Sequence, residues 1–325
     1  MSVPSIPIAD TESIDSPPNR PPPSNAPIFL TGFARSGTTW VNRLFCDYFD
    51  AGFVNEGQFI VTFGRRLARY GDLRLDRNRL ALLQDLKSDP FFAILRRNYS
   101  IEIDWLRVED STRDFRGIVT EVLAQISTAM GKSRIGSKYP VFGRYLDLLN
   151  RLFPDCKVVH VVRDGRDCAL SQRHVVWGHQ NTYAAAVHWR RYLCTARAGA
   201  MAMPGRYLEI RYEDLLTDPR STVSVLERFI TGTHGGPVTA RFMADRESLK
   251  SAKVAGWRHA MAPRAQAIFE GVSGDALKDA GYPLTGVARV PSVLWRGLYT
   301  AHDRLSREGW HWARKVFPAI PEQRR

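Results

Sequence analysis

Apolar positions along the chain fall into short continuous runs separated by longer stretches with helical spacing. Residues 27–31 form one such run, which enters a turn carrying Gly32 and Gly37. Beyond that turn Val41, Leu44, Phe45, Tyr48 and Phe49 recur every three or four positions, so the pattern predicts strand, loop, helix. Residues 63–116 read as helices with polar connections, and Asp89 followed by Pro90 marks a helix start within them. Ile118, Val122, Ile126 and Met130 share one stripe of a helix that Gly131 stops. "RIGSK" reads as a strand, "VFGRYLDLLNRLF" as a helix, and "CKVVHVV" as a strand buried on both faces. "RYLEIRY" gives a fourth strand and "STVSVLERFI" a further helix. Such alternation, with crossovers long enough for parallel pairing, predicts an α/β fold: a central parallel sheet flanked by helices. No internal repeat is visible.

The two ends follow other patterns. Residues 1–26 are rich in proline and serine and read as a disordered tail, without the basic start and apolar middle of a secretory signal. Residues 27–288 are expected to form the main domain, with a helical insertion at about 60–130. Residues 289–325 read as a basic amphipathic C-terminal helix, with Leu294, Leu298, Leu305 and Trp312 near one stripe and Arg296, Arg304, Arg307 and Arg314 elsewhere. Packing of that helix on its own domain is the expected role, and peripheral contact with an anionic membrane is the alternative. No run approaches the roughly eighteen apolar residues of a membrane span.

Composition narrows the classes. A chain of 325 residues, 44% of them hydrophobic, suits one large domain with additions. Its four cysteines, Cys46, Cys156, Cys168 and Cys194, have no paired spacing, which fits reduced thiols in the cytoplasm. Eight histidines show no close ligand pattern, so no metal site is expected, and His160 reads as a satisfied core residue. The net charge of +13 favours anionic partners: nucleic acid, a phosphorylated small molecule or an acidic membrane.

Three stretches carry candidate chemistry. "IFLTGFARSGTTW" resembles a nucleotide-binding P-loop, except that Thr38 stands in the lysine position. Gly32 and Gly37 let the backbone curl around an anion at a helix N-terminus, Ser36, Thr38 and Thr39 add hydroxyls, and Arg35 can bridge two oxygens. A purely structural glycine turn is the alternative. In "VVRDGRDCALS", Arg163 ends a buried strand and Ser171 lies on the next helix, at the sheet edge where ligands bind. The competing role for Arg163 is pairing with Asp164 or Asp167. In "RYEDLLTDP", Tyr212 ends a strand, where its ring can face a purine or simply pack. Together these strand ends describe a groove for a ligand with two separate phosphate-like groups and a base between them.

In this order the motifs resemble the sulfotransferase family over residues 27–260. The resemblance implies a P-loop NTPase-like three-layer fold and transfer of a sulfuryl group from 3′-phosphoadenylyl sulfate (PAPS) to a hydroxyl acceptor, with no metal. It implies that Arg35, Ser36, Gly37, Thr38 and Thr39 hold the 5′-phosphosulfate, and that Arg163 and Ser171 hold the 3′-phosphate. Tyr212 would lie near the adenine, and "KVAGWR" would offer Lys253 and Arg258 to the 3′ side. Lys138 matches a family lysine that contacts the sulfuryl and bridging oxygens. Small-molecule members place a histidine base two residues after it, where this chain has Pro140. Glu56 instead resembles the carboxylate base of the tyrosylprotein and many carbohydrate members, and the insertion would face the acceptor. Arg65, Arg66, Arg69, Arg74, Arg77 and Arg79 would meet an acidic acceptor or form a solvated face. A P-loop-type nucleotide kinase, a basic nucleic-acid-binding protein and a catalytically inactive relative remain the alternatives. Dispersed arginines without an aromatic-rich motif argue against nucleic acid as a partner.

Overall fold

The computed structural model describes residues 24–245 and 255–316. Residues 1–23 of the expected tail and Lys253 lie outside that range. The strands are β1 Ser24–Gly32, β2 Ala51–Gly52, β3 Arg134–Lys138, β4 Lys157–Val162 and β5 Tyr207–Arg211. They form one sheet in the order β2-β3-β1-β4-β5, and every pairing is parallel. The chain leaves β1 toward one edge and returns past it to build the other, so β1 stands where the direction of winding changes. Its register sets Leu30 opposite Lys138 on β3 and Thr31 opposite His160 on β4, which brings three strand ends to one rim.

Alternation along the strands divides the core. Phe29 and Val158 are buried on one face, in a cluster fed by the helices Gln58–Gly64, Phe115–Ala129 and Leu146–Leu152. Ile28, Leu30, Val159 and Val161 are buried on the other, beneath Thr38–Tyr48 and Pro219–Thr231. Each such side chain contributes about 1.5–3 kcal/mol by leaving water. A third cluster joins Phe33, Val162, Cys168, Trp189 and Phe269, and packs Gly165–Gln172, Thr182–Ala200 and Pro263–Asp279 behind the strand ends. That cluster supports the loops of the rim.

Most predicted elements form. Pro90 opens the helix Pro90–Tyr99, and the Asp89 carboxylate accepts from Phe91 N at 2.9 Å. Gly131, with φ 65°, follows the end of Phe115–Ala129. His160 is a buried core residue, with Nδ1 2.5 Å from the Tyr207 hydroxyl. Three differences have physical reasons. β1 begins at Ser24 rather than at residue 27, because its first residue already pairs with Arg134 across a bulge. "VFGRYLDLLNRLF" is not one helix but a 3₁₀ turn, Pro140–Arg144, followed by Leu146–Leu152. Tertiary bonds hold that turn: Gly143 N donates to Thr31 Oγ1 at 2.9 Å and the Tyr192 hydroxyl donates to Pro140 O at 2.6 Å.

The third difference concerns the C-terminal helix, Val293–Val316. It packs on the domain, but not through the stripe of Leu294, Leu298, Leu305 and Trp312, which stays exposed. The opposite face is seated instead. Asp303 is buried, its Oδ1 accepting from Gln180 N at 2.6 Å and its Oδ2 lying 2.9 Å from His179 Nδ1. Asn181 Nδ2 donates to Tyr299 O at 2.8 Å. Periodicity identifies residues that share a face, and here polar anchoring decides which face turns inward. No described helix is long and apolar enough to cross a membrane.

Candidate active site

Between β1 and the helix Thr38–Tyr48 the backbone reverses tightly, with Ser36 N donating to Phe33 O at 3.0 Å. Arg35 and Gly37 both take positive φ, 75° and 86°, on either side of Ser36. Such alternation turns successive amides toward one concavity, an arrangement suited to anions. Gly37 caps the helix without a side-chain hydrogen bond, so no capping side chain takes the first amides. It also lets Tyr212 close in, since a Cβ at position 37 would lie 2.4 Å from the Tyr212 ring.

The β4 end is joined to this loop. Arg35 Nε donates to Ser171 Oγ at 2.9 Å, and an Arg163 Nη donates to Arg35 O at 3.2 Å. The Arg163 guanidinium lies 4.9 Å over the Tyr212 ring. Among the described residues, Arg163 approaches Asp167 at 3.8 Å. Asp164 is instead engaged by the buried Arg166, which also meets Glu270 at 2.7 Å. Arg166 thus holds the β4 loop from below and leaves Arg163 on the rim.

At the β3 end Lys138 Nζ stands 3.4 Å from Glu56 Oε1. The lysine side chain is 5% exposed and the glutamate 44%. Burial pushes the Lys138 ammonium below the ordinary lysine range, while the Glu56 charge and hydrogen bond oppose that shift. Glu56 sits at φ 72°, and its amide donates to Lys138 O at 2.9 Å. The carboxylate is therefore tied to the strand end rather than carried on a free loop.

These groups line one groove of about 1020 Å³: Arg35, Gly37, Thr38, Thr39, Glu56, Lys138, Arg163 and Ser171 all reach it. Arg43 adds a further cation, and among the described residues of the lining Glu56 is the one acidic side chain. Trp40, Gln58, Trp177 and Trp310 also line it and were not anticipated from sequence; only Trp40, directly after Thr38 and Thr39, had a signal there. Ser36 is not in the lining, being buried with its Oγ 3.5 Å from Cys168 Sγ. Tyr212 stands behind the loop. Arg258 is exposed with its guanidinium 4.8 Å from the Trp257 ring and is not among the described residues that line the groove, while Trp257 N donates to Asp167 at 2.8 Å.

The insertion's arginines do not form a single face. Arg79 is buried against Asp76 at 2.7 Å, and Arg74 pairs with Asp72 at 3.0 Å. Arg65 and Arg66 border a cavity of about 280 Å³, which shares Tyr139 and Val141 with the groove. Among the described residues, one group of potential metal ligands occurs, His179, His188 and Asp303, beneath the C-terminal helix. Its imidazoles stack at 4.2 Å and 13°, so their in-plane lone pairs do not converge on one ion.

A model described as "Sulfotransferase family" matches residues 27–232. No curated protein matches the chain. Among solved structures, the chain is similar to the sulfotransferase domain of the Synechococcus PCC 7002 olefin synthase, at 19% identity and TM-score 0.47, covering 84% of this chain and 100% of that one. It is similar to the sulfotransferase domain of the curacin biosynthetic pathway at 13% identity and TM-score 0.47, over 82% and 100% of the two chains. A mouse sulfotransferase, SULT7A1 complexed with PAP, aligns at 13% identity and TM-score 0.43, over 80% and 86%.

Proposed function

The chain belongs to the sulfotransferase family, and from that premise we propose that it moves a sulfuryl group from PAPS to a hydroxyl acceptor within the groove at the strand ends. The observation that carries this reading is a groove lined by Arg35, Arg43, Lys138 and Arg163 in which Glu56, the one carboxylate among the described lining residues, stands 3.4 Å from Lys138. In this reading Arg35, Thr38, Thr39 and the loop amides around Ser36 and Gly37 hold the 5′-phosphosulfate. Arg163 and Ser171 take the 3′-phosphate, Tyr212 braces the loop beside the adenine, and Lys253 and Arg258 close the 3′ side. The cysteines, none in a disulfide, fit a cytoplasmic site for the reaction.

Glu56 accepts the acceptor's proton as the hydroxyl oxygen bonds to sulfur, and the bond from sulfur to the 5′-phosphate oxygen breaks in line. Negative charge grows on the leaving phosphate and the peripheral sulfuryl oxygens, where Arg35 and Lys138 stand. Preset donors of this kind are typically worth about 3 kcal/mol each. Kinases place a lysine and Mg²⁺ on a triphosphate; here the two cations and the loop amides supply that charge, so transfer is expected without metal. Glycan, peptide, lipid and other metabolite hydroxyls are all compatible with this chemistry.

Glu56→Gln separates catalysis from binding. Transfer from labelled PAPS should fall about 10²- to 10⁴-fold, as for loss of a positioned base, while the affinity for adenosine 3′,5′-bisphosphate is unchanged. Full activity in that variant would reject Glu56 as the base.

A further inference from the structure

We propose that the outer face of the C-terminal helix is a docking surface for an anionic lipid bilayer. Leu294, Leu298, Leu305 and Trp312 are 51–71% exposed on one side of Val293–Val316, with Trp295 49% exposed beside them. Soluble proteins rarely leave so many large apolar side chains contiguous and open to water. The face is not a displaced piece of core, because Asp303 and Tyr299 already fasten the other side of the helix to residues 179–181. The helix is thus fixed on the domain with its apolar stripe outward.

Charge selects the occupant. The helix carries Arg296, Arg304, Arg307, Arg314 and Lys315 against Asp303 and Glu308. Glu308 pairs with Arg304 at 2.7 Å and Asp303, turned into the domain, is approached by Arg307 at 4.0 Å, so by sequence Arg296, Arg314 and Lys315 make up the helix's excess of positive charge. A bilayer bearing anionic headgroups accepts both the leucines and the arginines, the leucines entering about 5–10 Å into the boundary between headgroups and acyl chains. A second copy of the chain, itself at +13, would bring like charge against like. Tryptophan near each end of the stripe suits the headgroup boundary, where an apolar ring and a polar N–H are both accommodated.

The full-length protein should co-sediment with phosphatidylcholine vesicles containing about 30% phosphatidylserine, stay free of pure phosphatidylcholine vesicles, and be released as salt is raised. Leu298→Glu combined with Leu305→Glu should weaken vesicle partitioning by at least about tenfold, with adenosine 3′,5′-bisphosphate binding unchanged. That control keeps failure here distinct from failure of the proposed activity. Absence of sedimentation with the anionic vesicles, equal binding to neutral ones, or equal partitioning of the variant would overturn the proposal. So would a dimer of the wild-type protein in analytical ultracentrifugation that the double variant dissolves, which would assign the face to a second copy.

Discussion

A non-glycine residue at positive φ costs about 1–2 kcal/mol. Among the described residues there are five, and two of them, Arg35 and Glu56, are proposed for the chemistry. Their strain is held by neighbours: Arg35 by Ser171 and Arg163, Glu56 by the carbonyl of Lys138. Gly37 is a different case, because its φ of 86° and the Tyr212 ring 2.4 Å from the site of a Cβ both forbid a side chain. Gly37→Val should lower stability by about 1–3 kcal/mol through strain and displaced packing and weaken adenosine 3′,5′-bisphosphate binding. Thermal melting and titration check this, and an unchanged melting temperature would contradict the packing of Tyr212 on the loop. Arg35, Lys138, Arg163 and Glu56 were legible as residue types in ordered motifs, while Arg43 was not. The burial of Ser36 and the arrival of Trp310 were not, because each depends on a partner distant in sequence.

At the scale of elements, strands were the most legible part of the chain. β4 is a continuous apolar run, and β1, β3 and β5 lead into turns with strong signals. β2, only two residues long, is too short to show a period. The C-terminal helix was legible as a helix while its orientation was not, since one buried aspartate outweighs four leucine and tryptophan positions. Its seat includes His188, stacked on His179. Burial first, then the neighbouring His179, lowers His188 to about 4 from the ordinary 6.5, with Arg144 and Arg307 acting the same way and Asp303 opposing. The unfolded chain therefore takes up a proton below 6.5 that the folded chain refuses until about 4. Stability contributed by this site is complete above 6.5 and is lost as the pH falls toward 4. His188→Gln should thus show a smaller drop in melting temperature between neutral and acidic buffer than the wild type. An equal drop would place the acid sensitivity elsewhere.

For the whole molecule, the winding of the sheet explains why motifs far apart in sequence form one site. β1 lies between β3 and β4, so Arg35, Lys138 and Arg163 reach the same rim although they belong to separate crossovers. Family membership supports a sulfotransferase over the kinase reading, in agreement with Thr38 at the P-loop lysine position. The central claim is that this rim grips an adenosine with anions on both its 3′ and 5′ oxygens, and does so without metal. Titration calorimetry with adenosine 3′,5′-bisphosphate in the presence of a chelator tests it most directly. The account predicts saturable heat at one site per chain, weakened by Arg163→Ala and by added salt. Folded protein that gives no heat, or heat only when Mg²⁺ is restored, would contradict it.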